Sequence, residues 1–195
     1  HAKKYHKGDV AWRVWSIQSG PDAGGYMVTE GPTNWSSLDS REDISAEHTD
    51  DWEKNVLPLT VGAGQSGYYD FQADLSTVQL TDYADKIVIS HMTANPGRIN
   101  DMKTLIQKMK KAWEGGNESV AVYIAAYSGE PGYIYVTRLK NGLKELATDY
   151  RKPLGDRYNE TNGAGSFNTW LKDYAGIVKS RWSELLIYMP LLSSK

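Results

Sequence analysis

Residues 85–114 read DKIVISHMTANPGRINDMKTLIQKMKKAWE, and this stretch decides the fold. Ile87, Val88 and Ile89 form a short β-branched apolar run, the pattern of a strand buried on both faces. The spacing ends that strand near His91. Asn95-Pro96-Gly97 then breaks the chain, because proline suits the start of a helix better than its interior. Ile99, Met102, Ile106, Met109 and Trp113 follow at intervals of three and four, with lysines on the opposite side, so a helix is predicted over 97–114. Gly115-Gly116-Asn117 stops it.

Working outward, Val120–Tyr127 and Tyr133–Arg138 read as strands joined by Ser128-Gly129-Glu130-Pro131-Gly132, a hairpin loop too short for a crossover. A short helix opens at 141–146, 151–166 reads as an inserted loop, a helix is predicted over 166–181 and a last strand over 184–189. Residues 85–195 thus run β-α-β-β-α-β, the split-βαβ, ferredoxin-like order of an antiparallel sheet with two helices on one face.

The first half repeats this pattern. Trp12–Gly20 lies over Ala121–Gly129, and Gly25-Tyr26-Met27-Val28-Thr29 over Tyr133–Thr137 with a small slip. Asn34 and Asn141 each open a helix, Trp52 parallels Trp170, and Gly67–Phe71 takes the place of the last strand. The expected fold class is therefore α+β, two fused ferredoxin-like units over residues 1–80 and 81–195. The first unit lacks a counterpart of strand 86–91 and of most of helix 97–114. By that analogy the chain begins inside a helix, roughly 25–30 residues short of a full unit.

The composition excludes several classes. The chain has 195 residues, 40% of them hydrophobic and 24% charged, enough for a packed core. No apolar run approaches the about eighteen residues of a membrane span, and a formal net charge of −2 argues against a nucleic-acid binder. There are no cysteines, so disulfides, thiolate catalysis and cysteine-ligated metals are ruled out. The compartment stays open between an exported, periplasmic setting and the cytoplasm. Seven Trp and thirteen Tyr stand against two Phe. Such residues suit wet pockets and interfaces, and equally an ordinary core.

Ala94-Asn95-Pro96-Gly97-Arg98, preceded by a strand and followed by Met102-Lys103-Thr104-Leu105, resembles the opening of the dimeric α/β-barrel superfamily. That group includes antibiotic-biosynthesis-monooxygenase-like, stress-responsive and NIPSNAP-like domains. Tyr133–Thr137 with Leu143 and Leu146 resembles its third strand and following helix. The resemblance covers 85–190 well and 9–76 loosely. It implies two ferredoxin-like sheets paired into a barrel, here in fused form, and it leaves a homodimer open. Activities in the superfamily include cofactor-independent oxygenation, haem binding or degradation, and chlorite dismutation, but no activity-specific motif is present to carry a catalytic residue over.

Candidate chemistry is sparse. His91, beside a strand end, is the one catalytic candidate, as a general base, hydrogen-bond donor or haem ligand. Its alternative is a histidine bonded to nearby backbone. No cofactor is expected, with haem as the variant reading. His1 and His6 are discounted as belonging to a frayed end. Glu47-His48-Thr49-Asp50-Asp51 matches no zinc or calcium spacing, so no metal site is expected, and Asp43 to Ser45 reads as a helix start. Asn34, Asn117 and Asn159 begin Asn-x-Ser/Thr triplets that carry little meaning alone. Gly62–Gly67 precedes a strand, which makes it a loop and not a phosphate cradle. By residue number, Val122, Ile124, Ile134 and Val136 share one parity and Tyr123, Tyr127, Tyr133 and Tyr135 the other. The expectation is an aliphatic face under the helices and a tyrosine face towards the inter-sheet space. Tyr123, Tyr133 and Tyr135 would there meet a small apolar or aromatic ligand, with Arg13 as a pocket cation. Three function classes follow: a ligand-binding barrel protein, a superfamily enzyme of the monooxygenase or haem-dependent kind, and a protein-interaction module.

Overall fold

The Ile87-Val88-Ile89 run does become a strand with neighbours on both sides, and the sheet is built around it. In the computed structural model, which describes residues 1–5, 11–39, 45–61 and 64–194, the elements follow in chain order. They are α1 (Ala2–Tyr5), β1 (Trp12–Ile17), β2 (Tyr26–Glu30), α2 (Trp35–Asp39), α3 (Ala46–Asp51), β3 (Tyr68–Phe71) and β4 (Lys86–Ala94). Then come α4 (Ile99–Gly115), β5 (Val120–Ala126), β6 (Gly132–Arg138), α5 (Leu154–Asn162), α6 (Ser166–Ile177) and β7 (Val178–Tyr188). Short non-α turns occupy Trp52–Val56, Leu57–Leu59 and Leu143–Leu146. The hydrogen-bonded strand order is β2-β1-β7-β4-β6-β5-β3.

By contact the chain divides into two units. The larger comprises Ser16–Gly25 and Ser66–Ile187; the smaller comprises His1–Trp15, Tyr26–Gln65 and Tyr188–Lys195. In the larger unit β7, β4, β6 and β5 form the ferredoxin-like order, each pair antiparallel. β3 extends this sheet beyond β5, antiparallel, from Tyr68↔Ala126 to Phe71↔Tyr123. At the other side the end of β1 joins β7, where the Gln18 N–H donates to the Leu185 carbonyl at 2.7 Å.

One face of this sheet carries the core. Met102, Leu105, Ile106, Met109, Ala112 and Trp113 of α4 pack on Met92, Ala94, Val120, Val122 and Tyr133, with Tyr158 and Ile177 closing the cluster. Each of the Met, Leu, Ile and Val side chains among them contributes roughly 1.5–3 kcal/mol through removal from water. The opposite face carries no helix of this unit, yet Ile87, Ile89, Ala121 and Leu186 on it are buried.

Three expectations are corrected here. β4 runs to Ala94, so His91 stands within the strand, because Thr93 and Ala94 continue the ladder to Gly132 and Val178. The final strand starts at Val178, cutting the helix predicted to 181, since residues 178–187 pair with β4. The stretch 151–166 holds a helix, α5. Its amphipathic signal is short, but Arg157 fastens it: the guanidinium donates to Glu118 Oε1 at 2.5 Å and to the Ala112 and Lys152 carbonyls, both at 2.8 Å.

In the smaller unit the Trp15 indole N–H donates to Thr29 Oγ1 at 3.2 Å, tying β1 to β2. Asn34 accepts from the Ser37 N–H and Ser45 from the His48 N–H, so both cap helices as expected. Asp43 and His6 lie outside the described residues.

Candidate functional site

The face without helices presents one row of side chains across five strands. The registers align Trp182 (β7) with His91 (β4), His91 with Ile134 (β6), Ile134 with Tyr123 (β5) and Tyr123 with Phe71 (β3). At ordinary strand spacing the row spans roughly 19 Å. All five side chains are partly exposed.

The basic side chain of this row is His91. Its ring lies flat on the Trp182 indole, centroids 3.7 Å apart and planes within 7°. Its Nε2 is 2.9 Å from Glu184 Oε1. An ionised carboxylate only accepts, so in the neutral imidazole the proton sits on Nε2 and the lone pair on Nδ1. Glu184 is 2% exposed, and its other oxygen, Oε2, has no hydrogen-bond partner among the described residues. The β1–β2 turn packs on it: a Cβ at Gly20 would lie 3.0 Å from Glu184 Cβ and from the Ser183 carbonyl, and Gly20 has φ +98°. Thr93 and Ser180, next along the same face, share a hydrogen bond of 2.6 Å.

The predicted tyrosine set is divided. Tyr133 and Tyr135 lie under the helices, Tyr133 in the core and Tyr135 against Trp113 with rings 5.1 Å apart. Tyr123 lies on the other face, its ring 5.5 Å from Phe71. The tyrosine face expected from residue numbers is thus corrected. Facing residues in this hairpin are Val122↔Tyr135, Tyr123↔Ile134 and Ile124↔Tyr133, pairs of opposite parity. Register, and not numbering, decides which side chains share a face. Burial raises the phenol pKa of Tyr123, and that of Tyr135 further still. Arg13 lies in the smaller unit, its guanidinium 3.5 Å from the Gly31 carbonyl.

Sequence reasoning missed Trp182, Glu184, Ile134 and Phe71. The alternation Ser180, Trp182, Glu184, Leu186 was a signal for one strand face, obscured by extending the preceding helix to 181. It also discounted His1, which in the smaller unit bonds Asp51 Oδ2 through Nδ1 at 2.7 Å and His48 Nε2 through Nε2 at 3.0 Å. Among the described residues no group of three His, Cys, Asp or Glu is arranged to hold a metal ion.

No family model matches the chain, and no curated protein does. A solved structure, described as a "putative monooxygenase" from Lactobacillus acidophilus NCFM, is similar over 91% of this chain and 77% of its own, at 10% identity and a TM-score of 0.46. No helix among the described residues is long and apolar enough to cross a membrane.

Proposed function

We propose that the helix-free face of the larger unit binds a small, flat apolar or aromatic molecule along the Trp182–His91–Ile134–Tyr123–Phe71 row. The observation that carries this reading is His91 itself, stacked on Trp182 and fastened to a buried carboxylate within a mainly aromatic, partly exposed row. Aromatic rings supply large contact area with little entropy loss, and one oriented polar group fixes the ligand's direction. A ligand with a hydrogen-bond donor would meet Nδ1. Titration with 8-anilinonaphthalene-1-sulfonate tests it. Dye fluorescence should rise on binding, with affinity lowered about tenfold in Trp182→Ala, the loss expected for one stacking contact. Unchanged binding in Trp182→Ala and His91→Ala together overturns the reading.

A second reading follows from the same dyad. A histidine held by a carboxylate suits a general base, which keeps a cofactor-independent oxygenase of the dimeric α/β-barrel superfamily as the alternative function. The duplication, with copies over 1–80 and 81–195, also belongs here. It is supported by reciprocal pairing: the end of β1 joins β7, and β3 joins β5, so each copy's second strand meets the other copy's last. In a barrel-type homodimer, separate subunits would make that exchange.

A further inference from the structure

On the helix side of the larger unit lies a cavity of about 330 Å³, for which a plain ferredoxin-like unit has no wall. The inserted α5 supplies that wall. Lys108 and Lys111 of α4 face it together with Asn162 of α5 and Ser166, Thr169 and Asp173 of α6. The rings of Tyr158 and Trp170 complete the lining.

The charges here are treated differently from those nearby. Lys103 is paired with Asp74, Lys110 with Glu114 and Lys152 with Glu160. Lys108, Lys111 and Asp173 have no ion pair among the described residues, although all three line one space. The Ser166 hydroxyl is buried and has no partner among the described residues. Burial, and then the charge of Asp173, raise the Tyr158 phenol pKa, so the Asp173 charge is felt inside the helix layer.

The cavity is also polarised. Asn162 Nδ2 donates to the Lys108 carbonyl at 3.2 Å, and the Trp170 indole donates to the Leu105 carbonyl at 3.1 Å. The Trp170 contact with Leu105 and the Asn95 N–H on the Ile177 carbonyl, 2.8 Å, make α6 antiparallel to α4, with Ser166 towards the Lys108–Lys111 end and Asp173 about 10 Å further along α6. By backbone position Lys108, Lys111 and Ser166 line one end and Asp173 the other.

We propose that this cavity binds a zwitterion of amino-acid size, its phosphate or carboxylate at the Lys108–Lys111–Ser166 end and its ammonium group at Asp173. The inference is independent of the aromatic row on the opposite face.

Calorimetric titration of the folded protein with O-phosphoethanolamine, β-alanine, inorganic phosphate and ethanolamine tests it. At least one of the two zwitterions should bind at least tenfold more tightly than phosphate and than ethanolamine. If only O-phosphoethanolamine does so the anionic group is a phosphate; if only β-alanine does, a carboxylate. Lys108→Ala/Lys111→Ala should abolish that preference, and Asp173→Asn should reduce the bound zwitterion to the level of its anion. Equal binding of all four probes, or wild-type binding by the double lysine variant, overturns the proposal.

Discussion

At the scale of single residues, Glu184 and Gly132 make opposite demands. Glu184 is a carboxylate at 2% exposure whose one side-chain partner among the described residues is His91. Removing that partner leaves an unpaired buried charge, so His91→Ala should destabilise the fold by about 3 kcal/mol. Replacing the pair with apolar groups of similar volume, as in His91→Phe/Glu184→Leu, should recover most of that loss. Urea unfolding of the wild type and the two variants checks both statements, and equal losses in the single and double variants would contradict them. Gly132 opens β6 where the backbones of β4 and β6 meet. A Cβ there would stand 2.1 Å from the Met92 carbonyl oxygen, an atom that cannot swing aside. Gly132→Ala should therefore cost on the order of 2–3 kcal/mol by the same measurement. His91 was legible in the sequence as a lone histidine beside an apolar strand. Its partner was not, because the two residues are 93 positions apart and only the register of β4 with β7 joins them.

At the scale of elements, the segment after β6 shows how a polar stretch is fixed without a large apolar stripe. Glu145 is buried, accepts from the Asn141 N–H at 2.5 Å and pairs with Arg151. Burial alone would raise its pKa, but the Asn141 and Arg151 hydrogen bonds outweigh that and lower it. A carboxyl whose folded pKa lies below its unfolded value stabilises the fold above the unfolded pKa, and that stability is lost as pH falls through the folded one. The difference in urea midpoint between wild type and Glu145→Gln should stay constant from about pH 7 to 5 and shrink below about pH 4. A difference that grows on acidification would contradict this. The same segment marks a limit of pattern reading. α5 escaped the sequence because Arg157, a residue type normally solvated, is buried and bridges Glu118 and two carbonyls. The β5–β6 hairpin was legible as two strands and a turn, but its facing pairs were not. A one-residue change in register exchanges the two faces, and that exchange moved Tyr133 and Tyr135 into the core.

At the scale of the whole molecule, the β-α-β-β-α-β order of residues 85–195 was readable because period-2 and period-3.6 apolar patterns alternate there with clear breaks. The first half was less so: its strands are short, and its residues are shared between the two contact units. Amide exchange should reflect this arrangement. β4 has hydrogen-bonded neighbours on both sides and β3 stands at the end of the strand order, so Ile89 and Val88 should exchange at least roughly tenfold more slowly than Tyr69 and Asp70. The central claim concerns the face those strands share. Its most direct test is a chemical-shift map of the isotopically labelled protein titrated with 1-naphthol, a flat aromatic with one donor. The account predicts perturbations centred on Trp182, His91, Ile134, Tyr123 and Phe71, including the His91 imidazole and the Trp182 indole N–H. Perturbations confined to the helix side, around Trp113, Tyr133 and Tyr135, would contradict it.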